Sequence, residues 1–271
     1  MPRRRAPRKA LRKLGLWAAA TLLAALLVTL IAVLLTPPRR PSTGVGKSAL
    51  IIDSLYDWTP NDRLLARLVQ TFSDAGYSVK VIKGRDATVD AFRNLTAYDV
   101  VVVRCHGAYF KAGEVLGGRV LGDAAPVVFT GEEFSECLPL SCKYYFERLR
   151  EEVVRGDFQL GENAVSVFAL TPIFFEGLEG KFREGSVVIV ASCYGLAGRL
   201  LADALLSKGV TYFISWDWKV SPEHMDEGLE ALVEEAVAKG VGWVKAVENV
   251  NNRLGPDPLG GGRLRLVSTS G

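Results

Sequence analysis

Val101-Val102-Val103-Arg104-Cys105-His106-Gly107 and Val187-Val188-Ile189-Val190-Ala191-Ser192-Cys193-Tyr194-Gly195 decide how this chain is read. Each is a short β-branched run that ends on a reactive side chain and a glycine. Runs of this kind predict strands buried on both faces of a parallel sheet. In open α/β sheets the ligand crevice lies at the carboxyl ends of the strands. The two stretches therefore predict that His106 and Cys193 stand at one sheet edge, where a thiol and an imidazole together are able to attack a carbonyl. The chain has two His and four Cys, so few other dyads exist.

Outward from these runs, strand and helix alternate. A strand is expected at 49–53. A helix follows with Thr59 as N-cap and Pro60 at its first position, and Leu64, Leu65, Leu68 and Phe72 on one face. Further strands are expected at 77–82 and 98–104, with a helix at 88–95 between them. The pattern resumes with a strand at 186–192, a helix at 198–207 and a strand at 211–216. Ser221 and Pro222 then open a helix, another lies near 243–250, and 264–268 is an edge strand. Such alternation predicts an α/β fold: a doubly wound, mostly parallel sheet in a three-layer α/β/α arrangement over residues 48–271. The stretch 107–185 is irregular. It holds an expected strand pair at 127–130 and 164–170 around a charged helix near 143–154. It reads either as a binding wall or lid or as an ordinary insertion.

The net charge of +3 hides two unlike parts. Nine of the 33 basic residues lie before residue 41, so the remainder carries 24 against 30 acidic residues, a net of −6. That acidic balance argues against a nucleic-acid partner, which needs a basic face. Residues 14–35 are 22 without a charge, enough to cross a bilayer core of ~30 Å. The basic segment 1–13 before them predicts a cytoplasmic N-terminus and an extracytoplasmic C-terminal domain. The long apolar core favours an uncleaved signal anchor over a cleaved signal peptide. Residues 36–47 form a Pro/Arg/Gly-rich linker. Its Gly44-Val45-Gly46-Lys47-Ser48 is not a phosphate-binding loop, because a strand must precede that motif and a helix follow it. Outside the cell Cys137 and Cys142 form a disulfide or remain reduced. Asn94-Leu95-Thr96 is a glycosylation sequon of little weight.

Cys193 lies at a strand-to-helix turn, where the amides and dipole of a helix starting nearby would favour a thiolate and an oxyanion. Gly107 brings its backbone N–H close to a reacting carbonyl with no side chain in the way. His106 then serves as general base and later as acid to the leaving amine. The alternative is that both residues merely cap strands.

These residues resemble the caspase-like cysteine peptidases, which include caspases, gingipains, clostripain-like enzymes and CHAT domains. The likeness is greatest to the CHAT and gingipain group. It rests on His106-Gly107 after one strand and Ala191-Ser192-Cys193-Tyr194-Gly195 after another. It continues through Leu200-Leu201-Ala202-Asp203-Ala204-Leu205-Leu206-Ser207-Lys208-Gly209-Val210 and Ile214-Ser215-Trp216-Asp217-Trp218-Lys219-Val220. The resemblance spans most of 49–250. It implies a caspase-like fold, a His106–Cys193 dyad, oxyanion amides at Gly107 and Cys193, and peptide or protein substrates cleaved without cofactor or metal. The stretch 107–185 matches no pattern of the family.

Asp217 is expected either at the base of the first substrate pocket, favouring Arg or Lys there, or facing solvent. Trp216 and Trp218 are expected to line the groove, with at least one of them packed in the core. Two other arrangements compete. Cys105-His106-Gly107 resembles the nucleophile turn of the amidotransferase-like intracellular proteases, which would make Cys105 the nucleophile. His224, early in a helix, would pair with Cys193 only in reversed order. A reading from another class keeps the scaffold but silences the dyad, leaving a membrane-anchored binding module.

Overall fold

The valine run at 100–103 becomes the middle of a six-stranded sheet. The computed structural model describes residues 46–136 and 142–269. The expected anchor at 14–35 lies outside the described residues. Among the described residues no helix is long and apolar enough to cross a membrane. Cys142 is disulfide-bonded, and its expected partner Cys137 lies outside the described residues.

From its N-terminus the described chain runs through β1 (Lys47–Asp53), α1 (Asp62–Asp74), β2 (Tyr77–Lys83), the 3₁₀ stretches Gly84–Asp86 and Val89–Ala97, and β3 (Val100–Arg104). After an excursion come β10 (Val187–Ala191), α4 (Leu200–Ser207), β11 (Tyr212–Trp216), α5 (Pro222–Val233), α6 (Trp243–Leu254) and β12 (Leu264–Ser268). The sheet order is β12-β11-β10-β3-β1-β2. All neighbours are parallel except β12, which runs antiparallel beside β11. The chain is thus a mixed α/β protein with a mostly parallel sheet, and the strands expected on either side of residues 107–185 are present.

Alternation along each strand sends side chains to opposite faces. Ile51, Val102, Ile189 and Ile214 pack under Leu64, Leu68 and Phe72 of α1, Leu229 and Leu232 of α5, and Val250 of α6. On the other face Leu50, Val101, Val103, Val188 and Val190 meet Phe92, Leu201 and Leu205. Each such side chain, fully buried, contributes ~1.5–3 kcal/mol relative to exposure.

The excursion is more regular than its sequence predicts. It holds β4 (Gly107–Phe110), a two-stranded ribbon of β5 (Val115–Leu116) and β6 (Arg119–Val120), and β7 (Ala125–Glu133). The short α2 (Tyr145–Leu149), β8 (Val153–Leu160), β9 (Asn163–Leu170) and α3 (Pro172–Glu176) follow. Strands β4-β7-β9-β8 form a second, antiparallel sheet. Its Val128 and Phe168 join α3 and α4 in covering the second face of the main sheet, so that layer is not purely helical. The charged helix expected near 143–154 is only five residues long. Glu151, at φ 54°, turns the chain out of helix and into β8. The first helix is also capped differently: the Asn61 side chain accepts from the Leu64 N–H at 3.0 Å, two residues past the expected Thr59.

One charged cluster ties these parts together. Arg104, buried at the end of β3, donates to Asp53 on β1 at 3.0 Å and to the Thr59 carbonyl at 3.0 Å. It also grips Asp226 on α5 through Nε at 2.6 Å and Nη2 at 2.9 Å. Removing one partner of a buried pair strands the other charge. Asp226→Ala is therefore expected to cost about 3–5 kcal/mol, read as a lower urea midpoint; a midpoint equal to wild type would show that the cluster holds nothing together.

Candidate active site

The parallel ladder between β3 and β10 pairs Arg104 with Ala191, and the Cys105 N–H continues it by donating to the Ala191 carbonyl at 3.0 Å. Two residues past this last pair, the chain segments that leave the two strands carry His106 and Cys193, on the same side of the alternation if it is continued. The two turns touch. A Cβ on Gly107 would overlap the Cys193 carbonyl oxygen, so only glycine fits there.

The second sheet orients this glycine. The His106 carbonyl accepts from the Phe129 N–H at 3.1 Å, so residues 106 and 129 are a hydrogen-bonded pair of the antiparallel ladder. Gly107 and Val128 are then a non-bonded pair, and the Gly107 N–H points away from β7 toward the Cys193 turn. An oxyanion donor needs that orientation.

The two reactive side chains each rest on another partner. The Cys193 sulfur lies 3.4 Å from both the N–H and the carbonyl of Val220. Burial pushes its thiol pKa up, against the Val220 N–H, which favours the thiolate. The imidazole of His106 lies on the Phe158 ring, centroids 4.1 Å apart and 35° between planes. Burial first, and the Arg104 charge second, push the His106 pKa down to about 4. A ring face also attracts imidazolium, but by only about 0.5–1 kcal/mol, less than one pKa unit, so desolvation wins. Both groups are neutral at neutral pH, and no hydrogen bond joins them among the described residues.

The helix expected near Cys193 starts only at Leu200, and residues 192–199 are turn and bend. The helix-dipole argument for the thiolate therefore fails, since that effect fades within one turn. The Val220 peptide takes over as donor. Its loop is pinned from both sides: the Tyr194 N–H donates to the Trp218 carbonyl at 3.1 Å, and the Leu196 N–H to that of Trp216 at 3.0 Å. Beyond it, buried Asp257 accepts from the Ser221 N–H at 3.0 Å, the Ser221 hydroxyl at 2.8 Å and the Gly260 N–H at 2.7 Å.

The expected pocket residues divide. Asp217 accepts from Arg265 Nε at 2.8 Å and from the Arg263 N–H at 2.8 Å. Its carboxylate is a tie between β11 and β12, not an open receptor for a substrate cation. Trp216 is 1% exposed and belongs to the core. Trp218 is 46% exposed and lies beside Tyr194 and Tyr109, with ring centroids 5.1 and 6.1 Å away. Cys105 faces the core instead of the crevice, and burial pushes its pKa up to about 12, which removes it as a nucleophile. His224 sits in the first turn of α5, with no hydrogen bond to Cys193 among the described residues. Phe158, Trp58, Val220 and Asp257 were not foreseen. Only the Gly260-Gly261-Gly262 run hinted that the chain passes close to something there.

No family model matches this chain, and no curated protein matches it. Among solved structures it is similar to protein GSU0716 from Geobacter sulfurreducens. Identity is 12%, the match covers 83% of this chain and 95% of that one, and the TM-score is 0.42. A likeness of that strength says nothing of chemistry.

Exposure and pKa separate Cys105 and Cys193, the free cysteines among the described residues. Iodoacetamide at neutral pH is expected to modify Cys193 in the folded chain and to spare Cys105, as read by peptide mass mapping. Equal modification of both would return Cys105 to the list of nucleophiles.

Proposed function

We propose that this chain is a membrane-anchored, caspase-like cysteine endopeptidase with a His106–Cys193 dyad. The observation that supports this reading is the β3–β10 register, which ends with Arg104 beside Ala191 and so brings the turns that bear His106 and Cys193 to the same carboxyl edge of a parallel sheet. The thiol turns from the Val220 peptide toward the imidazole as substrate enters, and His106 takes its proton. The sulfur attacks the scissile carbonyl, and the N–H groups of Gly107 and Cys193 receive the oxyanion. The C–N bond breaks as the imidazolium protonates the leaving amine. Water, activated by the same imidazole, then hydrolyses the thioester and restores the thiol. The wall of exposed Trp218 with half-buried Tyr194 and Tyr109 lies along the substrate's path. Residues 14–35 hold the domain to the membrane, with the N-terminus cytoplasmic.

One observation favours the silent-dyad reading, in which the scaffold binds without cutting: thiol and imidazole each rest on another partner. Turnover decides between the two readings. The full chain in detergent, assayed on fluorogenic peptides varied at the residue before the cleaved bond, is expected to cleave. Cys193→Ala and His106→Ala are each expected to lose about 10²-fold or more, and Cys105→Ala to keep most of the activity. No turnover, together with no labelling of Cys193 by an electrophilic peptide, would establish the binding module instead.

A further inference from the structure

Besides holding the backbone of His106 and Gly107 through β7, the second sheet reaches the candidate dyad through a side chain of β8. Strand β8 is an edge strand of that sheet, and its residues alternate between charge and aromatic: Arg155, Asp157 and Gln159 on one side, Gly156 and Phe158 on the other. Gly156 makes room for the Phe129 ring, which reaches from β7 past β9 to β8, because a Cβ there would press into that ring. Phe158, two residues further along β8, lies on His106. Phe158 is itself braced by Trp58, edge-on at 5.0 Å, and by Phe129 at 6.4 Å. Its contact with His106 is the shortest ring-to-ring separation among the described aromatic pairs. Three segments far apart in sequence, the β1–α1 loop, β7 and β8, thus converge on the Phe158 ring and, through it, on an imidazole that makes no side-chain hydrogen bond among the described residues.

We infer that Phe158, braced by Trp58, is the positioning residue of the His106 imidazole: it fixes the plane of the ring beside the Cys193 turn and shields one face from water. This deepens the peptidase reading but rests on geometry that exists whether or not the chain cleaves peptides. A bare core role would leave the state of the imidazole untouched, whereas a positioning role must show in its titration.

The charged surroundings are few. Arg104 on β3 is the one charge that lowers the His106 pKa, and its own partners are Asp53 and Asp226. Cys193 is the titratable group of the facing turn. Beside Phe158, Asp157 is bound to Arg155 and Ser166. Beside Trp58, Asp57 is bound to the Arg85 N–H. Removing the Phe158 ring therefore relieves desolvation, which outweighs the lost attraction of the ring face for imidazolium, and the His106 midpoint must rise from about 4 toward the ordinary 6.5.

The chain's two histidines make this measurable. Full chain in detergent, labelled selectively at histidine, gives two NMR titration curves, assigned with His224→Gln. Phe158→Leu, which keeps an apolar side chain on β8, and Phe158→Ala are both expected to raise the His106 midpoint by about one pH unit or more. Phe158→Tyr is expected to restore it. The inference is overturned if the folded Leu variant titrates as wild type does. Where wild type also cleaves peptides, Phe158→Leu should lower kcat with little change in KM. A wild type that never cleaves defeats the peptidase reading and leaves the titration to decide this one.

Discussion

A guanidinium taken out of water at the end of β3 must be met from several sides, and the site is assembled around that demand. Arg104 sits two residues before His106, and its hydrogen bonds go to β1, to the loop entering α1, and to α5. An isolated buried charge costs several kcal/mol, so these elements hold their places or the fold loses that sum. The same positive charge helps keep His106 neutral. One side chain thus fixes both the geometry of the sheet edge and the electrostatics of its candidate base.

The crevice is built by the elements that attach to this edge afterwards. The main sheet supplies the register that brings the turns bearing His106 and Cys193 to one edge. The second sheet turns the Gly107 amide outward and lays Phe158 on the imidazole. The loop after β11, clamped by Asp257 through Ser221, places the Val220 peptide on the Cys193 sulfur. Apart from the Asp257 carboxylate, which is met by three donors, these devices use backbone or aromatic groups in place of added charge, which suits a low-dielectric edge where an unpaired ion is expensive.

The parts legible in the sequence were those whose signal is local. Val-rich runs named β3 and β10, Ser221-Pro222 named the start of α5, and the two runs together named His106 and Cys193. The illegible parts depend on partners far along the chain. Strand β8, Val153-Val154-Arg155-Gly156-Asp157-Phe158-Gln159-Leu160, reads as polar because one of its faces is solvated and its glycine serves close packing. Asp217 looked like a pocket base because its partner Arg265 lies 48 residues away on a strand running the opposite way. Trp216 and Trp218, two residues apart, share one composition but not one fate. The first ends in the core and the second is lifted out where β11 gives way to the loop.

The resting arrangement has a consequence for how such a dyad would work. The thiol lies above its ordinary range and the imidazole near 4, so proton transfer between them as they stand runs uphill. A preformed thiolate–imidazolium pair is therefore not the ground state. Contact between the two would change both pKa values at once, since each charged form would then stabilise the other. The energy for that meeting has to come from binding elsewhere on the substrate, which is where enzymes best apply it. Trp218, Tyr194 and Tyr109, partly exposed beside the nucleophile, are the surface able to supply it. Under the proposed function, a dyad arranged in this way would stay quiet until a chain lay along that wall.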